Sequence, residues 1–198
     1  LPADWMSSTL SPGFGWLFGD SATLSSQYWP IPAHGLFAAA NDDAAGNGGD
    51  GSMDYLITPP MDFTAYQGIV LQFNSFYDGQ YSQLAYVEVS EDGGTTWTKV
   101  DSMAPSPTWE MVNVDLSAYA GAGHDSVWVA FHADDAGAWA SGWAIDDVLV
   151  KKQDTGGLSG LVTAATGGAA IDSAVVMLGG NMTYTDATGA YAFNNVFV

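Results

Sequence analysis

The apolar residues of this chain recur at the wrong spacing for helices. They come in short runs, alternating with polar residues or wholly apolar, between clusters of Gly, Asp, Ser and Pro. A period of two puts successive side chains on opposite faces of a strand, whereas a helix needs apolar residues three and four apart. The pattern predicts an all-β chain. Strands are expected at residues 69–77 (IVLQFNSFY), 83–90 (QLAYVEVS), 96–101 (TWTKVD), 110–115 (EMVNVD), 126–132 (SVWVAFH) and 142–151 (GWAIDDVLVK). In LAYVEVS the odd and even positions separate into two faces, one for a core and one for solvent.

The 198 residues are 47% apolar and 13% aromatic, ample for a buried core, and long enough for one large β-domain or one domain and a fragment. The stretch 1–36, with Trp5, Phe14, Trp16, Phe18 and Trp29, is too aromatic for a free tail and is expected to pack along a sheet edge. It opens on Leu1 with no Met or leader, which suggests processing. Residues 153–157 (QDTGG) read as a linker between a domain at 1–152 and a second piece at 158–198. That piece is rich in small residues, has no Trp and carries three short strand patterns. It stands near the ~40-residue floor for independent folding. Its last residues, FNNVFV, are expected to be completed by further sequence or by a strand from another subunit.

Charge narrows the possible partners. Twenty-two Asp and Glu stand against three Lys and no Arg, a formal charge of −19. Gripping phosphates requires clustered Lys and Arg, so nucleic-acid binding and docking on anionic lipid are excluded. Cysteine is absent, which removes disulfides, zinc–thiolate sites, iron–sulfur clusters and a thiol nucleophile. No apolar run approaches the ~18 residues of a membrane-spanning helix. An oxygen-rich chain of this kind is suited to divalent cations.

Two motifs carry local chemistry. Ser90-Glu91-Asp92-Gly93-Gly94-Thr95-Thr96-Trp97 fits S-x-D-x-G-x-T-W, an Asp-box hairpin in which Asp92 accepts from turn amides and Trp97 packs beneath. One copy, without an arginine for a substrate carboxylate, reads as structure and not as a sialidase. The second motif is a set of acidic points. Asn41, Asp42 and Asp43 open the Gly-rich stretch AAANDDAAGNGGDGSMD, Asp54 closes it, and Asp146 with Asp147 lies in the last long strand. Calcium takes six to eight hard oxygens from carboxylates, amides and carbonyls, and such a loop folded over that strand could supply them. In a regular strand Asp146 and Asp147 point to opposite faces, so one of them at most serves a given site.

The motifs LPADW, MDYLITPPMDF, VEVSEDGGTTWTKV, VNVDLSAYAG, VWVAFHADD and GWAIDDVLV, in that order and spacing, resemble the bacterial choice-of-anchor J or cleaved adhesin domains over residues 1–152. The resemblance implies a MAM-like, galactose-binding-like jelly-roll β-sandwich with an extracellular address, bound Ca2+ and an adhesive role. Residues 158–198, with GLVTAATGGAAIDSAVVMLGG and TYTDATGAYAFNNV, resemble the first part of a carboxypeptidase regulatory-like, transthyretin-like (Ig-type) β-sandwich. That module is a structural spacer and carries no peptidase centre.

The chain shows no G-x-S-x-G elbow, phosphate loop or cofactor fingerprint, and its three histidines, His34, His124 and His132, lack metal-binding spacing. The expected function is therefore non-catalytic: a calcium-binding adhesion or substrate-targeting module of a larger secreted or cell-surface bacterial protein, with an extracellular protein or glycan as partner. One alternative is a carbohydrate-binding accessory module, with His132, Asp134, Asp135 and Trp139 as a ligand-binding loop and Trp139 as an exposed ring. Another is a filament subunit joined to its neighbours by strand complementation through the second piece.

Overall fold

The structure is a computed structural model in which residues 2–10, 14–46, 54–153 and 155–197 are described. The chain divides into two compact units, with the boundary between Lys152 and Gln153. The first contains β1 (Met6–Ser8), β2 (Trp16–Gly19), α1 (Ser21–Leu24), β3 (Phe37–Asn41), α2 (Asp42–Ala45), β4 (Asp54–Ile57), β5 (Ile69–Phe76), β6 (Leu84–Ser90), β7 (Thr98–Ser102), β8 (Glu110–Asp115), β9 (Trp128–Asp134) and β10 (Gly142–Lys152). They form two five-stranded antiparallel sheets, β1-β4-β9-β6-β7 and β2-β3-β10-β5-β8. The all-β architecture is the one that the alternating pattern predicted, and the jelly-roll sandwich is the one that the resemblance implied.

The alternation decides what enters the core. Leu56 of β4, Val129, Phe131 and Ala133 of β9, and Ala85, Val87 and Val89 of β6 face inward from the first sheet. Ala38 and Ala40 of β3, Leu71 and Phe73 of β5, and Trp143 and Ile145 of β10 meet them from the second. Each large side chain so buried stabilises the fold by about 1.5–3 kcal/mol. The small Ala residues of β3 leave room for the Trp16 and Trp143 rings, which meet edge to face at 5.6 Å. Segment 24–37 then crosses the outer face of the second sheet. There Leu24, Trp29, Ile31 and Phe37 form a second buried cluster with Ala39, Phe76 and Ala144. As expected, the N-terminal stretch contributes edges: β1 and β2 are the terminal strands of their sheets.

The Asp-box hairpin forms as its sequence requires. Asp92 accepts from the Thr96 amide at 2.9 Å and the Thr96 hydroxyl at 2.6 Å, and Ser90 donates to it at 2.8 Å. Gly93 and Gly94 supply the turn with φ of +75° and +82°. Bonds to the ionised form, from Thr96 first, pull Asp92 down to about 2. Trp97 stacks on Tyr55 of the first sheet at 5.8 Å.

The second unit contains β11 (Thr155–Leu161), β12 (Val175–Leu178), β13 (Asn181–Tyr184) and β14 (Ala190–Phe197). They pair as two antiparallel two-stranded sheets, β11-β14 and β12-β13. Four strands are found where three patterns were expected, and β11 occupies most of the stretch read as a linker. Gly156 and Gly157 contribute no side chain to a pattern, yet Gly156 pairs with Val196 through the backbone.

Candidate functional site

The acidic stretch after β3 turns into α2 and ties down its neighbours. Asn41 caps α2: its carbonyl oxygen accepts from the Ala44 amide at 3.0 Å and from the Ser26 hydroxyl at 3.2 Å. Its amide donates to the Leu24 carbonyl at 2.7 Å. Asp43 accepts from the Tyr28 amide at 2.9 Å. Asn41 and Asp43 therefore anchor segment 24–28. Asp42 turns the other way, is buried, and accepts from the Ala140 amide, while the Asp43 amide donates to the Ser141 carbonyl at 3.1 Å.

Register brings two more acids to the same end of the sandwich. Asp54 opens β4 with the parity of the inward-facing Leu56, and its carbonyl accepts from the Trp16 indole at 2.9 Å. Trp16 in turn pairs with Ala40, next to Asn41 and Asp42. Asp135 follows Phe131 and Ala133 on the inward side of β9, and Ala133 is paired with Asp54. Asp42, Asp54 and Asp135 are all buried, at 7, 6 and 6% exposure. Three buried carboxylates, on α2, on β4 and just after β9, thus lie at one end of the sandwich. The centre of the expected loop, residues 47–53, lies outside the described residues.

Asp146 and Asp147 belong elsewhere. Gly142 pairs with Asn41, so Asp146 lies four residues further along β10, about 13 Å away at strand rise. The six candidates, Asn41 and five aspartates, do not gather at one point. The expected alternation of Asp146 and Asp147 also fails. The β5–β10 register shifts between Asp146 and Leu149, and Asp147 has φ +52°. This β-bulge adds a residue, so both side chains lie outside while Ile145 and Val148 on either side face the core. Asp147 accepts from the Asn74 side-chain amide at 2.8 Å, and Asp146 lies 3.5 Å from His34 Nε2. One donor atom from each of His34, Asp146 and Asp147 falls within 4.8 Å of the others. The His34 ring is held by stacking on Trp109 at 4.2 Å, and the Trp109 indole donates to the Pro32 carbonyl.

The expected loop of His132, Asp134, Asp135 and Trp139 also divides. His132 and Asp134 face outward on the first sheet, opposite in parity to Asp135. His132 is buried beneath Tyr55, stacked at 4.1 Å, with Nδ1 3.3 Å from Glu88. Burial, then the Glu88 carboxylate, pushes the Tyr55 hydroxyl up to about 12. Asp134 and Asp135 accept from the Ala136 and Gly137 amides and so shape the loop that carries Trp139.

Trp139 is half-buried, not fully exposed, because two other rings meet it. Tyr28 packs edge-on at 5.7 Å and Tyr81 tilts against it at 4.6 Å. Tyr28 and Tyr81 are 52 and 46% exposed. The three rings border a cleft of about 690 Å3 whose remaining walls include Ser26, Gln27 and Asp43. Tyr77 and Trp143, by contrast, are core, and the Tyr77 hydroxyl donates to the Gln83 carbonyl. Tyr28 has no distinguishing sequence signal, since its backbone is held by a hydrogen bond to Asp43, 15 positions away.

No family model and no curated protein matches the chain. Solved structures do match it. The K1 cleaved adhesin domain of Lys-gingipain from Porphyromonas gingivalis W83 superposes with a TM-score of 0.55 at 20% identity, over 78% of this chain and 94% of that one. The K2 cleaved adhesin domain of Lys-gingipain gives 0.51 at 22% identity, over 74 and 89% of the two chains. The K3 domain from Porphyromonas gingivalis w83 gives 0.50 at 18%, over 76 and 92%. What is shared is the jelly-roll fold.

Proposed function

We propose that this chain is a non-catalytic, extracellular binding module of a larger adhesive protein, and that it holds glycans in the Tyr28–Tyr81–Trp139 cleft. The observation that carries the reading is the cleft itself. Three partly exposed rings border a cavity of sugar-accommodating size, about 690 Å3, beside the Asp43 carboxylate and the side chains of Gln27 and Ser26. Flat rings cover the apolar faces of pyranoses while carboxylates and amides bond their hydroxyls. The sheets hold the loops that present these groups: Asp43 fixes the Tyr28 amide, and the Ser141 hydroxyl donates to Asp78, two residues before Gln80 and Tyr81.

Calcium belongs, in this reading, at the adjoining end of the sandwich, with Asp42, Asp54 and Asp135 as its carboxylates. Their chemistry fits: the set is all oxygen, and each of the three carboxylates is buried, which is costly for a charged group unless hydrogen bonds, a proton or a cation offset the charge. Asn41 and Asp43 then act as anchors of the ring-bearing segment. The second unit serves as a transthyretin-like spacer.

A glycan array probed with the intact chain and with Trp139→Ala and Tyr81→Ala tests the binding site. Binding lost in both variants, with melting temperature retained, supports the cleft; undiminished binding in both removes it. Melting with and without EGTA tests calcium separately. A native-state ligand raises the melting temperature, and identical curves at saturating calcium count against it.

A further inference from the structure

A second cavity, of about 590 Å3, opens at the edge of the sandwich where the terminal strands β1 and β2 face each other. Its floor is core: Ala38, Leu56 and Ile145 are 5, 1 and 1% exposed. Its walls are apolar but open to solvent, with Trp5, Phe18 at 44% and Leu36 at 75% exposure. Asp146 and Asp147, set side by side by the β10 bulge, stand at its rim. Lysine and arginine are absent from its lining, and His34 is the nearby basic group, 3.5 Å from Asp146.

We propose that this cavity binds the lysine side chain of an extended peptide segment from a protein partner. An apolar shaft with two carboxylates at one end complements a four-carbon stem carrying an ammonium group, because the stem can lie along apolar surface while the head remains at the polar rim. Neither carboxylate is saturated by the bonds it makes. Each offers about four lone-pair sites, and Asp147 uses one of its own on Asn74. Charge favours the same guest, since a chain of net charge −19 attracts cationic segments and repels anionic ones. An extended segment suits the flanks. β1 and β2 are each the last strand of a sheet, so a peptide that pairs with either edge can direct alternate side chains toward the gap between them. The bulge that disturbs the regular alternation of β10 is what puts both carboxylates on this rim.

The test uses the intact chain in EDTA-containing buffer and three capped pentapeptides, Gly-Gly-X-Gly-Gly, with X as lysine, norleucine or glutamate. Binding is followed by amide chemical shifts. Lysine is expected to bind at least about tenfold more tightly than norleucine, which has the stem without the charge, and glutamate is expected not to bind. Shifts should centre on residues 18, 36 and 146–148. Asp147→Asn should remove the preference for lysine over norleucine, whereas Leu36→Ala should weaken both. The Asp147 and Leu36 side chains are exposed, so both variants should fold, and melting curves check that directly. Equal binding of lysine and norleucine, binding that survives Asp147→Asn undiminished, or no lysine binding in EDTA while zinc or calcium shifts His34 and Asp146 would each overturn the proposal, the last in favour of a metal site. The glycan cleft lies at other residues, so its failure and this one are read separately.

Discussion

Replacing Gly142 with alanine tests how the end of the sandwich is assembled. Gly142 pairs with Asn41 across the β3–β10 ladder, beneath the Trp29 ring. A Cβ there would stand 2.5 Å from the Ala40 carbonyl oxygen and 2.6 and 2.7 Å from two Trp29 ring carbons. Comfortable contact between carbon atoms needs about 3.5–4.0 Å. The Ala40 oxygen is held in a sheet bonded on both sides, and Trp29 is fully buried and stacked on Phe76 at 5.8 Å, so neither yields easily. Overpacking costs about 1–3 kcal/mol, and a clash that includes backbone belongs in the upper half, about 2–3 kcal/mol. For a domain of this size, at roughly 2–4 °C per kcal/mol, melting should fall by about 4–12 °C. Urea denaturation should show a lower midpoint at unchanged slope. Trp29→Phe removes the ring carbons that Cβ would strike, so the double variant should lose less than the sum of the two single losses. A loss below about 0.5 kcal/mol for Gly142→Ala would refute the close approach of β3, β10 and Trp29.

Three further outcomes are expected. Asp20, Asp62, Asp92 and Asp186 all have carboxyls held below their ordinary range, chiefly by a threonine two to four residues on. Their contribution is fully present above pH ~4 and is lost as pH falls toward 2. Melting temperature should therefore decline across that window, less steeply in Asp92→Asn; a flat profile contradicts the hydrogen bonding. Ser75→Ala leaves the buried Trp143 indole without its 2.9 Å acceptor and should cost about 1–3 kcal/mol by denaturant titration. Asp43→Ala should lower glycan affinity by releasing the Tyr28 amide while leaving the denaturation midpoint nearly unchanged, as titration calorimetry and urea melts would show.

Strands whose side chains strictly alternate were legible. β8 runs from Glu110 to Asp115 as the pattern predicts, and β6 differs from expectation by one residue at its start. The Asp-box turn was legible too, because all its bonding partners lie within four residues. The bulge at Asp147 was not: nothing in GWAIDDVLV marks where a strand takes an extra residue, and the expected division of Asp146 and Asp147 between two faces rested on regular pleating. The start of β11 was hidden for a different reason: residues 155–157 read as linker, and Gly156 pairs with Val196 through backbone alone. Polar clustering drew attention to Asn41, Asp42 and Asp43, yet two of them serve as anchors for segment 24–28. Their partners are long-range, and sequence periodicity carries no record of such contacts.

The most direct test of the central claim follows the indole N–H resonances of the eight tryptophans during glycan titration, with Trp139 assigned by its loss in Trp139→Phe. Occupation of the cleft should move the Trp139 signal and leave those of Trp29 and Trp143, buried in the two clusters, in place. A glycan that binds while the Trp139 signal stays still, with shifts at Trp97 or Trp128 on the opposite sheet instead, would contradict the account.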